Sequence, residues 1–210
     1  MSERYPGIPR GLSRRQEASK RAFDLILAIP GFLITFPLVA AAVIAATIDT
    51  GEWGVFSQHR VGRSGILFRV HKVRTMRTSG QHTTTVTTSS DTRITKLGAA
   101  MRLLKIDELP QLWNVVTGSM SLVGPRPDVA GWADQLKDDD RVIISVRPGI
   151  TGPASLAFRR EESLLAAAED PESYNRTEIW PEKVRLNRAY IRDWSLGNDI
   201  RTIVETLRVH

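Results

Sequence analysis

From Leu25 to Ile48 the chain runs for 24 residues without a charge, LILAIPGFLITFPLVAAAVIAATI. As a straight helix this covers about 36 Å, enough to cross a hydrocarbon core of about 30 Å. The run is too long for a cleaved signal peptide, and no convincing small-residue cleavage site follows it. An ordinary single-pass span is one reading, but two features favour a segment that enters the bilayer and returns. First, residues 1–21 hold six Lys and Arg and residues 49–77 hold another six, so the positive-inside rule has no side to choose. Both flanks would also gain from an anionic phospholipid surface. Second, Pro30 and Pro37 lie inside the run. Each lacks an N–H and crowds the carbonyl four residues earlier. With Pro37 near the middle, the expectation is a re-entrant helix-break-helix hairpin whose freed carbonyls are satisfied by protein or headgroups.

The rest of the composition narrows the chemistry. Lys and Arg outnumber Asp and Glu 29 to 23, a formal charge of +6, which calls for an anionic partner. Charged residues at 25% and aromatics at 7% exclude wholesale disorder. Cysteine is absent. That removes disulfide frameworks, thiolate zinc sites and cysteine nucleophiles, and suits a cytoplasmic domain. The four histidines, His59, His71, His82 and His210, are scattered without ligand spacing. There is no phosphate-binding Walker loop, dinucleotide fingerprint or nucleophile elbow. Chemistry must rest on carboxylates and basic residues, with or without a hard cation.

The class expected is α+β and mainly helical. Residues 1–50 form an arm and the membrane hairpin, and 51–210 a cytoplasmic catalytic domain packed on the interface. Residues 53–76 alternate as a β-hairpin with Gly62 and Gly65 in its connection, and 78–92 form a Thr/Ser-rich loop. Ile94, Leu97, Met101 and Leu104 share one helix face, suited to an interfacial helix or a core cover. A second helix opens at Asp107-Glu108-Leu109-Pro110 and stops at Gly118; three more lie around 161–169, 181–194 and 199–209.

Asp107-Glu108 is the leading chemical candidate. A helix start with Asp as its N-cap explains the pair without any function. Two carboxylates at that place also suit Mg²⁺ with a diphosphate. Arg102, Lys105 and Arg126 stand near it in sequence, and Lys72 and Arg74 end the hairpin. Arg126 and Arg147 each precede a proline, which restrains their backbones and lets their guanidinium forks be aimed at phosphate. Rigid corners with solvated side chains are the bland alternative.

The stretches KRAFDLILA, FSQHRVGRSGILFRVHKVRTM, DTRITKLGAAMRLLKIDELPQLWNVVTGSMSLVGPRP and RPGITG cover most of residues 20–152. In that order they resemble the monotopic phosphoglycosyl transferases, the bacterial sugar transferases. The resemblance implies a monotopic protein on the cytoplasmic face of the bacterial inner membrane. It implies transfer of a sugar-1-phosphate from a UDP-sugar to polyprenyl (undecaprenyl) phosphate, with release of UMP, as a first membrane step of glycoconjugate assembly. It further implies Asp107 as nucleophile, Glu108 as ligand of Mg²⁺, functional roles at Lys72, Arg102, Arg126 and Asp199, and Pro37 as the hairpin proline. The chain departs from the pattern at Phe36, at the additional Pro30, and in PASLAFRREES after Gly152. Sugar identity and oligomeric state stay open. Two readings of other classes are a membrane-anchored nucleic-acid binder and a non-catalytic single-pass scaffold. Against the first, the chain has no nucleic-acid motif or basic–aromatic stripe, so no nucleic acid is expected as partner.

Overall fold

A computed structural model describes residues 7–78 and 92–208. The body of the expected Thr/Ser-rich loop, with His82, falls outside them, as does His210.

The apolar run lies within α1 (Arg14–Thr50), which begins in a capping box: the Ser13 hydroxyl accepts from Gln16 N–H, and the Gln16 side chain accepts from Ser13 N–H. Pro30 and Pro37 both lie inside α1, and its helical pattern continues through them. The expected break is therefore corrected to an uninterrupted helix. A proline removes one hydrogen bond from a long ladder, and the turns on either side keep theirs. Thr35, Thr47 and Thr50 donate to the carbonyls of Gly31, Val43 and Ala46, contacts that bend a helix without ending it.

The residues that α1 buries are small or polar. Ala28 joins Val70, Val115 and Met120, while Ala42 and Ala46 join Val73 and Met101. Its large side chains point outward; Ile34 is 78% exposed and Ile48 79%. This is the reverse of a soluble amphipathic helix, which turns its large apolar residues inward. Among the described residues α1 is the one helix long and apolar enough to cross a membrane.

The expected hairpin is present. β1 (Val55–Val61) and β2 (Leu67–Val73) pair antiparallel, with Val55 opposite Val73, around a turn at Arg63–Gly65. Helix α2 (Lys96–Leu103) splits the face its periodicity suggested: Met101 is buried, as is Gly98, while Leu97 and Leu104 are exposed. Close backbone packing selects the buried side, since a Cβ on Gly98 would stand 2.1 Å from the Thr75 carbonyl oxygen.

Asp107 is not an N-cap. α2 is capped by Leu104, and Lys105, at φ 55°, starts a separate 3₁₀ turn, Ile106–Glu108; α3 (Gln111–Thr117) follows and stops at Gly118 as expected. Gly124-Pro125-Arg126-Pro127 and the RPGITG segment flank or form an unexpected parallel pair, β3 (Ser121–Val123) with β4 (Gly149–Thr151). Here Gly149 lets two backbones touch; a Cβ on it would meet Gly124 N at 2.1 Å. The C-terminal third folds as α4 (Pro153–Ala157), α5 (Glu161–Ala167), α6 (Pro171–Tyr174), a π turn (Asn175–Ile179), α7 (Trp180–Arg192) and α8 (Leu196–Arg208).

Candidate active site

Three separate elements meet at the acidic pair. Glu108, in the 3₁₀ turn, accepts from Lys72 at the end of β2 (3.0 Å) and from Arg126 after β3 (2.6 Å), both on Oε1. Burial opposes ionisation of Glu108, but the Arg126 and Lys72 charges outweigh it and hold the carboxyl well below its usual range. Glu108 in turn keeps the Arg126 guanidinium firmly charged. Burial lowers the Lys72 ammonium, with Glu108 working against that shift.

Asp107 differs from its neighbour in almost every respect. It is 6% exposed, and its Oδ1 has no hydrogen-bond partner among the described residues. Burial and the adjacent Glu108 charge push its pKa up, while Lys72, Lys105 and Arg102 pull it down. The result is a buried carboxylate oxygen without a partner among the described residues, on which the charges of Lys72, Lys105 and Arg102 act against that of Glu108, an arrangement suited to a nucleophile or ligand. Gln111, one turn further on, is also buried, and its amide nitrogen has no partner among the described residues. The sequence marks it only as part of the Asp107–Leu112 stretch that carries the resemblance, and a Gln at a helix start is otherwise ordinary.

Other expected residues are distributed less simply. Arg102 pairs with Glu162 (2.7 Å) yet still acts on Asp107 through its charge. Arg74 belongs to a different corner, bound to Glu52 (3.1 Å) and to the Trp53 carbonyl (2.9 Å). Arg147 donates to the Gly118 carbonyl (2.9 Å) and lines a small cavity with Lys20, Asp24 and Arg63. Asp199 is fully buried; its oxygens accept from Lys20 (2.6 Å), Tyr190 (2.8 Å) and Trp194 (3.1 Å). The structure gives Asp199 these three partners, none of which belongs to the carboxylate pair's ion-pair cluster.

Several charged residues near the pair escape sequence reasoning. Arg60, on β1, is coupled to Arg126, Asp128 and Glu108, and burial lowers its pKa. Asp128 is pushed up to about 6 by burial, against the charges of Lys183 and Arg60. Lys183 on α7 contacts both oxygens of Glu161 at 2.7 Å. Their separation along the chain hides this grouping; only the Gly-Pro-Arg-Pro-Asp run hints at Asp128.

Among the described residues no three His, Asp or Glu side chains group for a metal. The chain offers two adjacent carboxylates, one with an orphaned buried oxygen. That donor set fits Mg²⁺, which binds through one or two carboxylates and completes its shell with substrate phosphates and water.

A profile of the family described as bacterial sugar transferase matches residues 15–210. The chain belongs to this family. It is 36% identical over 194 residues to a UDP-glucose:undecaprenyl-phosphate glucose-1-phosphate transferase of Xanthomonas campestris pv. campestris, covering 90% of this chain and 38% of that protein. It is 33% identical over 193 residues to a UDP-N-acetylgalactosamine-undecaprenyl-phosphate N-acetylgalactosaminephosphotransferase of Aeromonas hydrophila, covering 90% and 43%. A galactosyl transferase, CpsE, of Streptococcus agalactiae is 34% identical over 203 residues, covering 91% and 42%. This bacterial sugar transferase thus spans about two-fifths of the length of these relatives.

Proposed function

We propose that this chain moves a sugar-1-phosphate from a UDP-sugar to undecaprenyl phosphate, releasing UMP, in the opening membrane step of a bacterial glycan. The carrying observation is the contrast within the acidic pair: Glu108 is clamped by Lys72 and Arg126, while Asp107 keeps an unpartnered oxygen beside it. An Asp107 oxygen attacks the sugar-bearing phosphorus, and the bond to UMP breaks with its electron pair leaving on UMP. A lipid phosphate oxygen then attacks the aspartyl phosphate and the Asp107 carboxylate departs. Neither step needs a base when Asp107 reacts as its carboxylate and the lipid phosphate as its anion. Arg126 and Lys72 neutralise the diphosphate and orient it in line. When bound at Glu108, Mg²⁺ would add charge compensation for the leaving phosphate.

The same reading places the protein on the cytoplasmic face of the inner membrane, with α1 dipping into one leaflet and returning. Its two halves pack on one body. Ala28 shares a cluster with Val70, and Ala42 shares the next with Val73. In this reading α1 bends near its prolines, so that both of its ends return to one side of the bilayer. It also holds the carboxylate pair at the depth where a prenyl-linked phosphate meets a soluble donor.

The test is to incubate the chain and polyprenyl phosphate with a panel of UDP-sugars, scoring UMP release and a sugar-phosphate adduct by intact mass. Asp107→Asn should abolish the adduct, and chelation should suppress it until Mg²⁺ is restored. An adduct that persists in Asp107→Asn overturns the assignment of the nucleophile.

A further inference from the structure

The aspartyl chemistry leaves unused an open cavity of about 540 Å³ in the C-terminal third, within the range of small-molecule sites. Phe158, at the end of α4, and Tyr174, at the end of α6, form part of its wall. Thr177 and Glu178 line it from the π turn, and Glu182 and Arg185 from α7. A π turn is an uncommon distortion that recurs at functional sites, because it displaces side chains from their helical register. This one stands between α6 and α7 and carries two of the cavity's polar side chains.

Charged side chains lead from the Phe158 wall of the cavity toward Arg126. Lys183 lies 5.9 Å from the Phe158 ring centroid and pairs with Glu161 at 2.7 Å. Glu161 in turn acts on Arg126, the residue that holds Glu108. We propose that this corner seats the nucleoside of the donor, with the base against Phe158 and Tyr174 and the ribose hydroxyls at Glu178. The proposal rests on the nucleotide-sugar reading above and adds where the nucleotide is recognised.

Chemistry favours the nucleoside over the sugar. In the donor the sugar hangs directly on the phosphorus that Asp107 attacks, so it must remain beside Asp107. The nucleoside sits one phosphate further away, which suits a cavity whose Phe158 wall adjoins the Glu161–Lys183 ion pair and which Asp107 and Glu108 do not line. A flat base stacks on aromatic faces, and a vicinal diol suits a carboxylate acceptor. The Thr177 hydroxyl already donates to the Ser173 carbonyl (3.0 Å), which leaves it a lone pair for a base N–H.

The experiment measures UMP binding by equilibrium dialysis in the full chain and in Phe158→Ala, Tyr174→Ala and Glu178→Gln. Transfer from preformed sugar-phosphate enzyme to polyprenyl phosphate is followed in parallel. UMP binding should weaken about ten-fold or more in the two aromatic variants, and several-fold in Glu178→Gln, which keeps the shape of the side chain. The second transfer, which has no nucleotide, should keep its rate. Unchanged UMP binding in all three variants overturns the proposal. So does a rise in donor KM with UMP binding intact, which would give the cavity to the sugar. If the unaltered chain neither binds UMP nor releases it from any donor, the transferase reading itself fails.

Discussion

Asp107 and Asp128 are both carboxylates whose pKa rises mainly through burial, and each therefore costs the folded state something at neutral pH. For Asp128 the shift reaches about 6, from an ordinary 3.8. The folded value lies above the unfolded one, so the penalty is complete above about pH 6, shrinks as pH falls toward the unfolded pKa, and vanishes below it. Asp128→Asn should accordingly stabilise the protein at pH 8, on the order of 1–3 kcal/mol. Thermal unfolding at pH 8 and again below pH 4 checks this: the variant should melt higher at the first pH and level with the parent at the second. Equal melting at pH 8 would mean that Lys183 and Arg60 fully compensate the buried charge. Proteins tolerate such costs where function needs the charge, which is why Asp128 stands out among the residues the sequence reading passed over.

At the scale of elements, the base of α1 is fastened to α8 by one buried ion pair, Lys20–Asp199 at 2.6 Å. Tyr190 and Trp194 complete the Asp199 shell, and Asp24, one turn beyond Lys20, accepts from Ser121 Oγ and Leu122 N–H at 3.0 Å. The KRAFD run is thus a docking device. Lys20→Met leaves Asp199 charged, buried and short of a partner, a loss of about 3–5 kcal/mol. The double variant Lys20→Met with Asp199→Asn should lose clearly less than the sum of the single changes. Denaturant melts of the four proteins test this, and strict additivity would refute the coupling. The resemblance gave Asp199 a functional role, and its three hydrogen bonds show how it supports the fold. A sequence cannot separate these, since an acidic residue ahead of an apolar helix face reads the same whether its oxygens meet substrate or Lys20.

For the whole molecule, what matters is how deep the carboxylate pair sits relative to the bilayer. A bent α1 returns both of its ends to one side, and a straight one sends them to opposite sides. Single cysteines introduced near residues 10 and 52 of this cysteine-free chain should both react with an impermeant thiol reagent from the cytoplasmic side of oriented vesicles. Labelling from opposite sides would sink the re-entrant arrangement and leave the acidic pair's chemistry standing. The 24-residue uncharged run, the alternating hairpin and the Asp107-Glu108 pair were legible directly, because each is a pattern of neighbours: hydropathy over a window, period two along a strand, two acids in succession. Local order also foretold the stop at Gly118. It could not show that Lys72 and Arg126 would close on a single oxygen of Glu108, or that Gly149 would admit a parallel strand pair. Nor could it show that Arg74 and Arg147 would turn to other corners. Those outcomes depend on which distant segments the packing brings within a few ångströms, and burial and charge coupling act over that distance in space, whatever the separation along the chain.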